Sequence, residues 1–351
     1  MTRITASLVL GAIALQAPAK PLVYVLSTGG TISGRGATST SLTDYRSGSV
    51  LGAELVAGVP EIAQVADVHV EQIANVSSTD VSLAHWLTIA KRINRIFGDD
   101  PKTAGVVITH GTNTLEETAY FLNLTVKHDR PVVLVGSMRP STALSADGPL
   151  NLLNGIRTAV SPDARGKGVL VVLNDEINAA RDVTKTTTYR VETFRAPELG
   201  LLGYVDGDQV AFYRESTKRH TSKSEFDVGS VTELPKVEIL YSYAQPSTVA
   251  LEAFVASGVK GIVFAGTGAG LLSTIERTAI QKVASMPESS RPIMVRSARV
   301  GNGRVVANAT YDAMNMIPAD SLNPQKARVL LMLALTKTRD VKDIARMFRE
   351  Y

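Results

Sequence analysis

The sequence predicts an α/β fold, with a large N-terminal doubly wound domain built on a mainly parallel sheet and a smaller C-terminal α/β domain. Three observations lead there. Short runs that are apolar almost without interruption alternate with segments of helical spacing, as in a parallel sheet covered on both faces. The alternation stops at a polar stretch, Arg214–Leu234, and then restarts. The chain has 351 residues, enough for two cores, and with no cysteine its stability must come from burial rather than disulfides.

The elements follow in order. Residues 1–19 carry one charge, Arg3, then an apolar run from Ala6 to Leu15 and the small-residue pattern Ala17-Pro18-Ala19. That describes a secretory signal peptide, too short to span a bilayer, and predicts a periplasmic or secreted mature chain. In the large domain, residues 20–213, strands are expected at Leu22–Ser27, Val68–Ala74, Gly105–Thr109, Pro131–Val135 and Gly168–Asn174. Helical spacing covers Ser82–Phe97, Thr114–Val126 and Pro149–Val160. Residues 214–234 are expected to link this domain to the small one, residues 235–351. There, Lys236–Tyr241, Lys260–Ala265 and Pro292–Arg296 read as strands, and Pro246–Ala256 and Ser273–Met286 as helices. Asn323-Pro324 opens a helix with an N-cap residue and proline at its first position, running to Leu335. A last amphipathic helix covers Val341–Tyr351.

Composition excludes several functions. Without cysteine there is no thiolate nucleophile, iron–sulfur cluster or cysteine-type zinc site. The net charge of +4 is dispersed, with one short basic cluster at Lys218, Arg219 and His220, so there is no nucleic-acid footprint. The five histidines lack metal-ligand spacing. Gly266-Thr267-Gly268-Ala269-Gly270 suggests dinucleotide binding, but the third glycine of the fingerprint falls at Leu271 and the match fails.

Two threonine-rich loops remain, each directly after an expected strand. Ser27-Thr28-Gly29-Gly30-Thr31 has paired glycines that allow close backbone approach and would present the Thr31 hydroxyl above the sheet. Thr109-His110-Gly111-Thr112-Asn113-Thr114 precedes a helix. Each has an ordinary structural reading: the first as a turn, the second as a capping box from Asn113 to Glu116 or from Thr114 to Glu117. Together, two hydroxyls and backbone N–H groups over strand ends suit nucleophilic attack on a carbonyl beside an oxyanion site. A threonine needs activation, and Lys185 is a candidate base if burial lowers its pKa.

These loops carry a resemblance that extends over the whole mature chain. STGGTIS at 27–33, ITHGTNTLEETAYFL at 108–122, VGSMRPSTALSADGPLNL at 135–152, ARDVTKT at 180–186, ELPKVEILYSYA at 233–244 and LNPQKARVLL at 322–331 are long, specific and in family order. The sequence resembles the bacterial type II L-asparaginases. That implies cofactor-free hydrolysis of asparagine to aspartate and ammonia through an acyl-enzyme. It also implies a homotetramer with each site between the large domain of one subunit and the small domain of its neighbour. By motif, Thr31 resembles the nucleophile, Tyr45 the tyrosine of a lid, and Ser78 the serine that holds the substrate α-carboxylate, with Gly30 and Thr79 beside them. Thr112 and Lys185 resemble two members of a second triad. The lid segment Gly34–Gly48 is rich in Gly, Ser and Thr, as a mobile closing element must be.

The sequence departs from the family pattern at several points. Asn113 stands where the pattern THGTD has an aspartate that meets the substrate ammonium. Loss of one partner of a desolvated charge pair costs about 2–5 kcal/mol. At about 1.4 kcal/mol per tenfold, catalytic efficiency falls by roughly 10²–10³ or more. Thr79 replaces a longer glutamine or glutamate. Arg299–Asp320 contains no glutamate to complete the first triad, and Ala269 stands where some relatives place an asparagine. The expected function is therefore a weakened asparaginase. Two alternatives stay open: an amidohydrolase for an amide lacking a free α-ammonium, and a catalytically impaired amino-acid-binding protein on the same scaffold.

Overall fold

A computed structural model describes residues 19–351, so the expected signal peptide lies outside the described residues apart from Ala19. The large sheet contains β1 (Leu22–Gly29), β2 (Asp67–Val76), β3 (Thr103–Thr109), β4 (Val132–Val135) and β5 (Val169–Leu173). It is completed by β6 (Glu176–Ala179), β7 (Gly203–Val205) and β8 (Val210–Phe212), in the spatial order β8-β7-β6-β5-β4-β3-β1-β2. From β2 through β5 the pairs are parallel, and from β5 to β8 they are antiparallel. The four buried residues of β4, Val-Val-Leu-Val, show why continuous apolarity signalled a covered parallel strand.

The antiparallel edge is the main departure from the expected fold. The strand expected to run to Asn174 ends at Leu173, and Asn174 and Asp175 then turn with φ of 52° and 64°. Two positive φ angles in sequence make a two-residue hairpin, which returns the chain as β6 beside β5. Strands of three or four residues are too short to show a period, so β6, β7 and β8 left no signal in the sequence.

Among the described residues the long helices on this sheet are α1 (Leu83–Asp99), α2 (Leu115–Thr125) and α3 (Gly148–Val160), with short helices at Gly52–Ala57 and Ile62–Val65 beside them. One core joins α1 and α2 to one face, while the opposite face buries Leu152 and Ile156 of α3. The small domain is a parallel sheet, β9 (Val237–Tyr241), β10 (Gly261–Gly266), β11 (Ile293–Ala298) and β12 (Met316–Pro318), in that order. Its helices are α4 (Val249–Ala256), α5 (Thr274–Ala284), α6 (Pro324–Leu335) and α7 (Val341–Glu350). The helix expected from Pro246 starts only at Val249, whose N–H donates to Ser247 Oγ at 3.2 Å. Asn323 caps α6 by accepting the Lys326 N–H at 3.0 Å. The polar stretch 214–234 packs closely, burying Phe226, Val228 and Leu234 in the core shared by α2, α6 and α7.

Among the described residues no helix is long and apolar enough to cross a membrane. Also among them, no group of three or more His, Cys, Asp or Glu is placed to hold a metal ion. The chain leaves β1 for β2 on one side and then returns through β3 on the other. The carboxyl ends of β1 and β3 therefore form a topological switch point, where open α/β sheets bind ligands.

Candidate active site

Both threonine-rich loops emerge at that switch point. Ser27 and Thr109 are register partners at the ends of β1 and β3. Thr28 Oγ1 donates to the Thr109 carbonyl at 2.9 Å, and Thr109 Oγ1 donates to Ser27 Oγ at 3.0 Å. Glycine lets the loops touch. A Cβ on Gly30, whose φ is +84°, would lie 2.2 Å from Gly111 Cα, and one on Gly111 would lie 2.7 Å from Ser78 Oγ. The backbones of Gly30 and Gly111 thus meet where no further side chain fits, with the Ser78 side chain packed against them.

Ser78, buried, ties them together. Its Oγ accepts the Asn113 N–H at 3.1 Å, and its carbonyl accepts the Thr114 hydroxyl at 2.7 Å. This corrects the capping-box expectation: the helix begins after Thr114, which makes no side-chain cap bond. Glu116 is buried against Asn323 and Gln325 of α6. Thr79 is exposed, and its hydroxyl donates to Ser77 Oγ at 2.9 Å.

Thr31 opens a 3₁₀ turn after Gly30 and is buried, with Oγ1 2.7 Å from the Tyr45 hydroxyl. Tyr45 belongs to a short antiparallel pairing of Arg35–Gly36 with Tyr45–Arg46, its ring packed over Gly34. The segment is tied to the neighbouring turn at residues 141–144. Ser141 donates through its N–H (2.9 Å) and its hydroxyl (2.7 Å) to the Gly34 carbonyl, and the Leu144 N–H donates to Ser39 O at 2.9 Å. Among the described residues no carboxylate hydrogen-bonds to Thr31 or Tyr45.

Lys185 arrives from a two-residue strand, Thr184–Lys185, paired with Phe194–Arg195. Its Nζ donates to Thr112 Oγ1 at 2.8 Å and to Asn113 Oδ1 at 3.2 Å. Burial pushes the ammonium below its ordinary pKa, and the Glu116 charge opposes part of that shift. Both direct partners are neutral oxygens. The site thus contains a hydroxyl–hydroxyl pair, Thr31–Tyr45, and a hydroxyl–amine pair, Thr112–Lys185, whose amine is easier to deprotonate than a free lysine.

His110, which lacks metal-ligand spacing in the sequence, belongs to the site's foundation. It is fully buried, with Nδ1 2.7 Å from the Gly111 carbonyl and Nε2 3.0 Å from Thr118 Oγ1. Because a carbonyl only accepts, Nδ1 carries the proton and Nε2 accepts from Thr118, which itself accepts Trp86 Nε1–H at 2.8 Å. Burial lowers the His110 pKa to about 4, so the ring is neutral and holds the Gly111 carbonyl in one direction. Its place directly before Gly111-Thr112 was the available signal. A groove of about 710 Å³ between α4 and α5 contains none of these groups; apolar side chains, threonines, Glu252 and Lys282 line it.

A family model described as Asparaginase, N-terminal, matches residues 22–218, and one described as Glutaminase/Asparaginase C-terminal domain matches residues 236–348. The chain belongs to the asparaginase family. It is 50% identical over 331 residues to L-asparaginase 2 of Bacillus subtilis, covering 94% of this chain and 87% of that relative. It is 45% identical over 335 residues to L-asparaginase 2 of Escherichia coli, covering 95% and 94%. The crystal structure of a probable cytoplasmic L-asparaginase from Campylobacter jejuni matches with a TM-score of 0.91 at 46% identity, covering 95% of this chain and all of that one. Within this asparaginase-family fold, the loop carrying Ala269 is bridged from Thr267 to Leu271 and held by Arg296, which donates to the Ala269 carbonyl at 3.1 Å.

Proposed function

We propose that the chain hydrolyses L-asparagine to L-aspartate and ammonia through an acyl-enzyme on Thr31, at a rate lowered by Asn113. The observation that carries this reading is the Lys185 ammonium donating to the buried Thr112 hydroxyl at 2.8 Å. An ammonium that faces only neutral oxygens has no carboxylate to hold its proton, and burial favours the neutral amine that a base needs.

In this scheme Thr31 Oγ attacks the side-chain amide carbon and passes its proton through Tyr45 towards the leaving nitrogen. The C–N bond breaks, ammonia leaves, and the Thr31 ester is hydrolysed by water. Thr112 and Lys185 supply the second hydroxyl and its base. Ser78 receives the α-carboxylate, with Gly30 and Thr79 beside it, and Asn113 meets the α-ammonium without a charge to balance it. The relatives include a glutaminase-asparaginase of Pseudomonas fluorescens biotype A, 45% identical over 332 residues, so glutamine is the second amide to test.

The same reading makes the protein a homotetramer with a leader at 1–19, a large domain at 20–213, a connection at 214–234 and a small domain at 235–351. Export is supported by a relative called a probable periplasmic L-asparaginase in Haemophilus influenzae, 43% identical over 333 residues. The test is ammonia release from L-asparagine by the full chain and by Thr31→Ala. Turnover abolished by Thr31→Ala is the expected result. Binding of L-aspartate without ammonia release by either form would instead make this an amino-acid-binding protein.

A further inference from the structure

Behind the Thr112–Lys185 contact lies a second buried ammonium that the scheme above leaves unused. Lys326 stands in the first turn of α6, with its side chain 2% exposed. Its Nζ donates to the carbonyl oxygens of Arg181, at 2.8 Å, and of Val183. Those carbonyls belong to the segment that immediately precedes Lys185. Its carboxylate neighbour, Glu116 Oε2, is 4.0 Å away, beyond hydrogen-bond reach. Glu116 is held instead by Asn323 Nδ2 at 3.3 Å and Gln325 Nε2 at 3.2 Å, both from the start of α6.

Glu116 lies in the first turn of α2, just after Thr112 and Asn113. One turn of α6 therefore grips both sides of the candidate base pair: the backbone in front of Lys185 and the helix behind Thr112. A buried charge of this kind is poor evidence for stability, because an apolar residue of similar volume packs without the desolvation cost. That cost is visible, since burial lowers the Lys326 pKa to about 8 against the opposing charges of Glu116, Asp182 and Glu117, with Arg181 acting in the same direction as burial. What an apolar residue could not do is hold two carbonyls at once. The strand that bears Lys185 is two residues long and has one partner, so its position depends on such an anchor.

We propose that Lys326 is a positioning residue for amide hydrolysis: with Glu116 it fixes the backbone that presents Lys185 to Thr112. The inference rests on the reading of Lys185 as the base of that pair. A misplacement of about 1 Å at a reacting group costs on the order of 100-fold in rate, so loss of the anchor is felt in kcat. Ser78 is held by Asn113 and Thr114, and Gly30 by its N–H to the Val76 carbonyl at 2.9 Å, with no bond to Lys326 among them, so binding is spared.

The test uses the full chain, with Lys326→Met and Lys185→Met each compared with the parent for ammonia release from L-asparagine. Calorimetric binding of L-aspartate gives Kd and stoichiometry. The expected result for Lys326→Met is a kcat lower by about 10- to 100-fold, with aspartate Kd and stoichiometry unchanged. A parental kcat in folded Lys326→Met overturns the proposal, and so does a loss of aspartate binding in parallel with kcat, which would mark a merely structural role. If Lys326→Met does not fold, Glu116→Gln, which keeps the shape of the pair, is judged by the same two criteria. Lys185→Met with parental kcat would overturn the base reading itself. Lys185→Met impaired beside Lys326→Met unimpaired would overturn only the positioning role.

Discussion

Replacing Asn113 by aspartate tests the electrostatics of the site most directly. The Asn113 Oδ1 lies 3.2 Å from the Lys185 ammonium, and its backbone N–H is held by Ser78 Oγ, so a carboxylate would enter an already ordered position. Two unit charges about 4 Å apart interact by roughly 1 kcal/mol in bulk water and about 4 kcal/mol at an effective dielectric of 20. The site lies between those limits, because Asn113 is exposed while Thr112 and Ser78 beside it are buried. A charge meeting the substrate ammonium there raises kcat/KM of Asn113→Asp by about 5- to 700-fold at about 1.4 kcal/mol per tenfold, and about a hundredfold is expected.

The same carboxylate has a second effect of opposite sense. It favours the charged form of Lys185, which must be neutral to act as a base. The rising acid limb of the pH–rate profile should therefore move to higher pH in Asn113→Asp, even as efficiency at the plateau increases. Ammonia release from L-asparagine and L-glutamine, measured for both forms across the pH range, reads both effects. Equal kcat/KM for asparagine would refute the reasoning and assign the ammonium to another group. Absence of turnover in both forms would shift attention to the small domain, where Arg299–Asp320 offers no glutamate.

Three further outcomes are expected. Tyr45→Phe removes the 2.7 Å contact to Thr31 and should lower kcat by about 10²–10⁴ with little change in KM; a parental kcat would exclude Tyr45 from proton transfer. Gly30→Ala forces a Cβ to within 2.2 Å of Gly111 Cα at a φ of +84°, so thermal melting should show a loss of at least about 1–3 kcal/mol and ammonia release should collapse. Normal activity in that variant would contradict the close approach of the two loops. His110 has a folded-state pKa of about 4, below the ordinary 6.5, so the unfolded chain binds the extra proton in that window. Its contribution is fully present above about pH 6.5 and is lost as pH falls towards about 4, up to about 3 kcal/mol. Urea unfolding should show a shallower acid slope for His110→Gln than for the parent, and parallel slopes would exonerate the histidine.

Much of this molecule is legible from local pattern. Continuous apolar runs mark β1, β3, β4 and β5, and helical periodicity marks α1, α2 and α3, because both signals arise from neighbours in the chain meeting one core. The long motifs around Thr31 and Thr112 carry the family in the sequence itself. Where a local signal had two uses, tertiary context decided between them. Thr114 has the spacing of a capping residue, yet its hydroxyl donates to Ser78 O because that loop brings the carbonyl within 2.7 Å. The antiparallel edge rests on strands too short to show a period and on two positive φ angles at Asn174 and Asp175.

Spacing alone assigns Lys185 no partner. Thr112 lies 73 positions away, and burial of the pair lowers the ammonium's pKa only once the loop, the short strand and α2 are packed. The anchoring of that strand by Lys326 is more remote still, since it joins the small domain's α6 to backbone carbonyls that have no side-chain identity to read. Sequence determined which elements form and which chemical groups the site can draw on, because periodicity and residue type are local. Distance, burial and the direction of each hydrogen bond belong to segments far apart in the chain, and only the tertiary structure decided them.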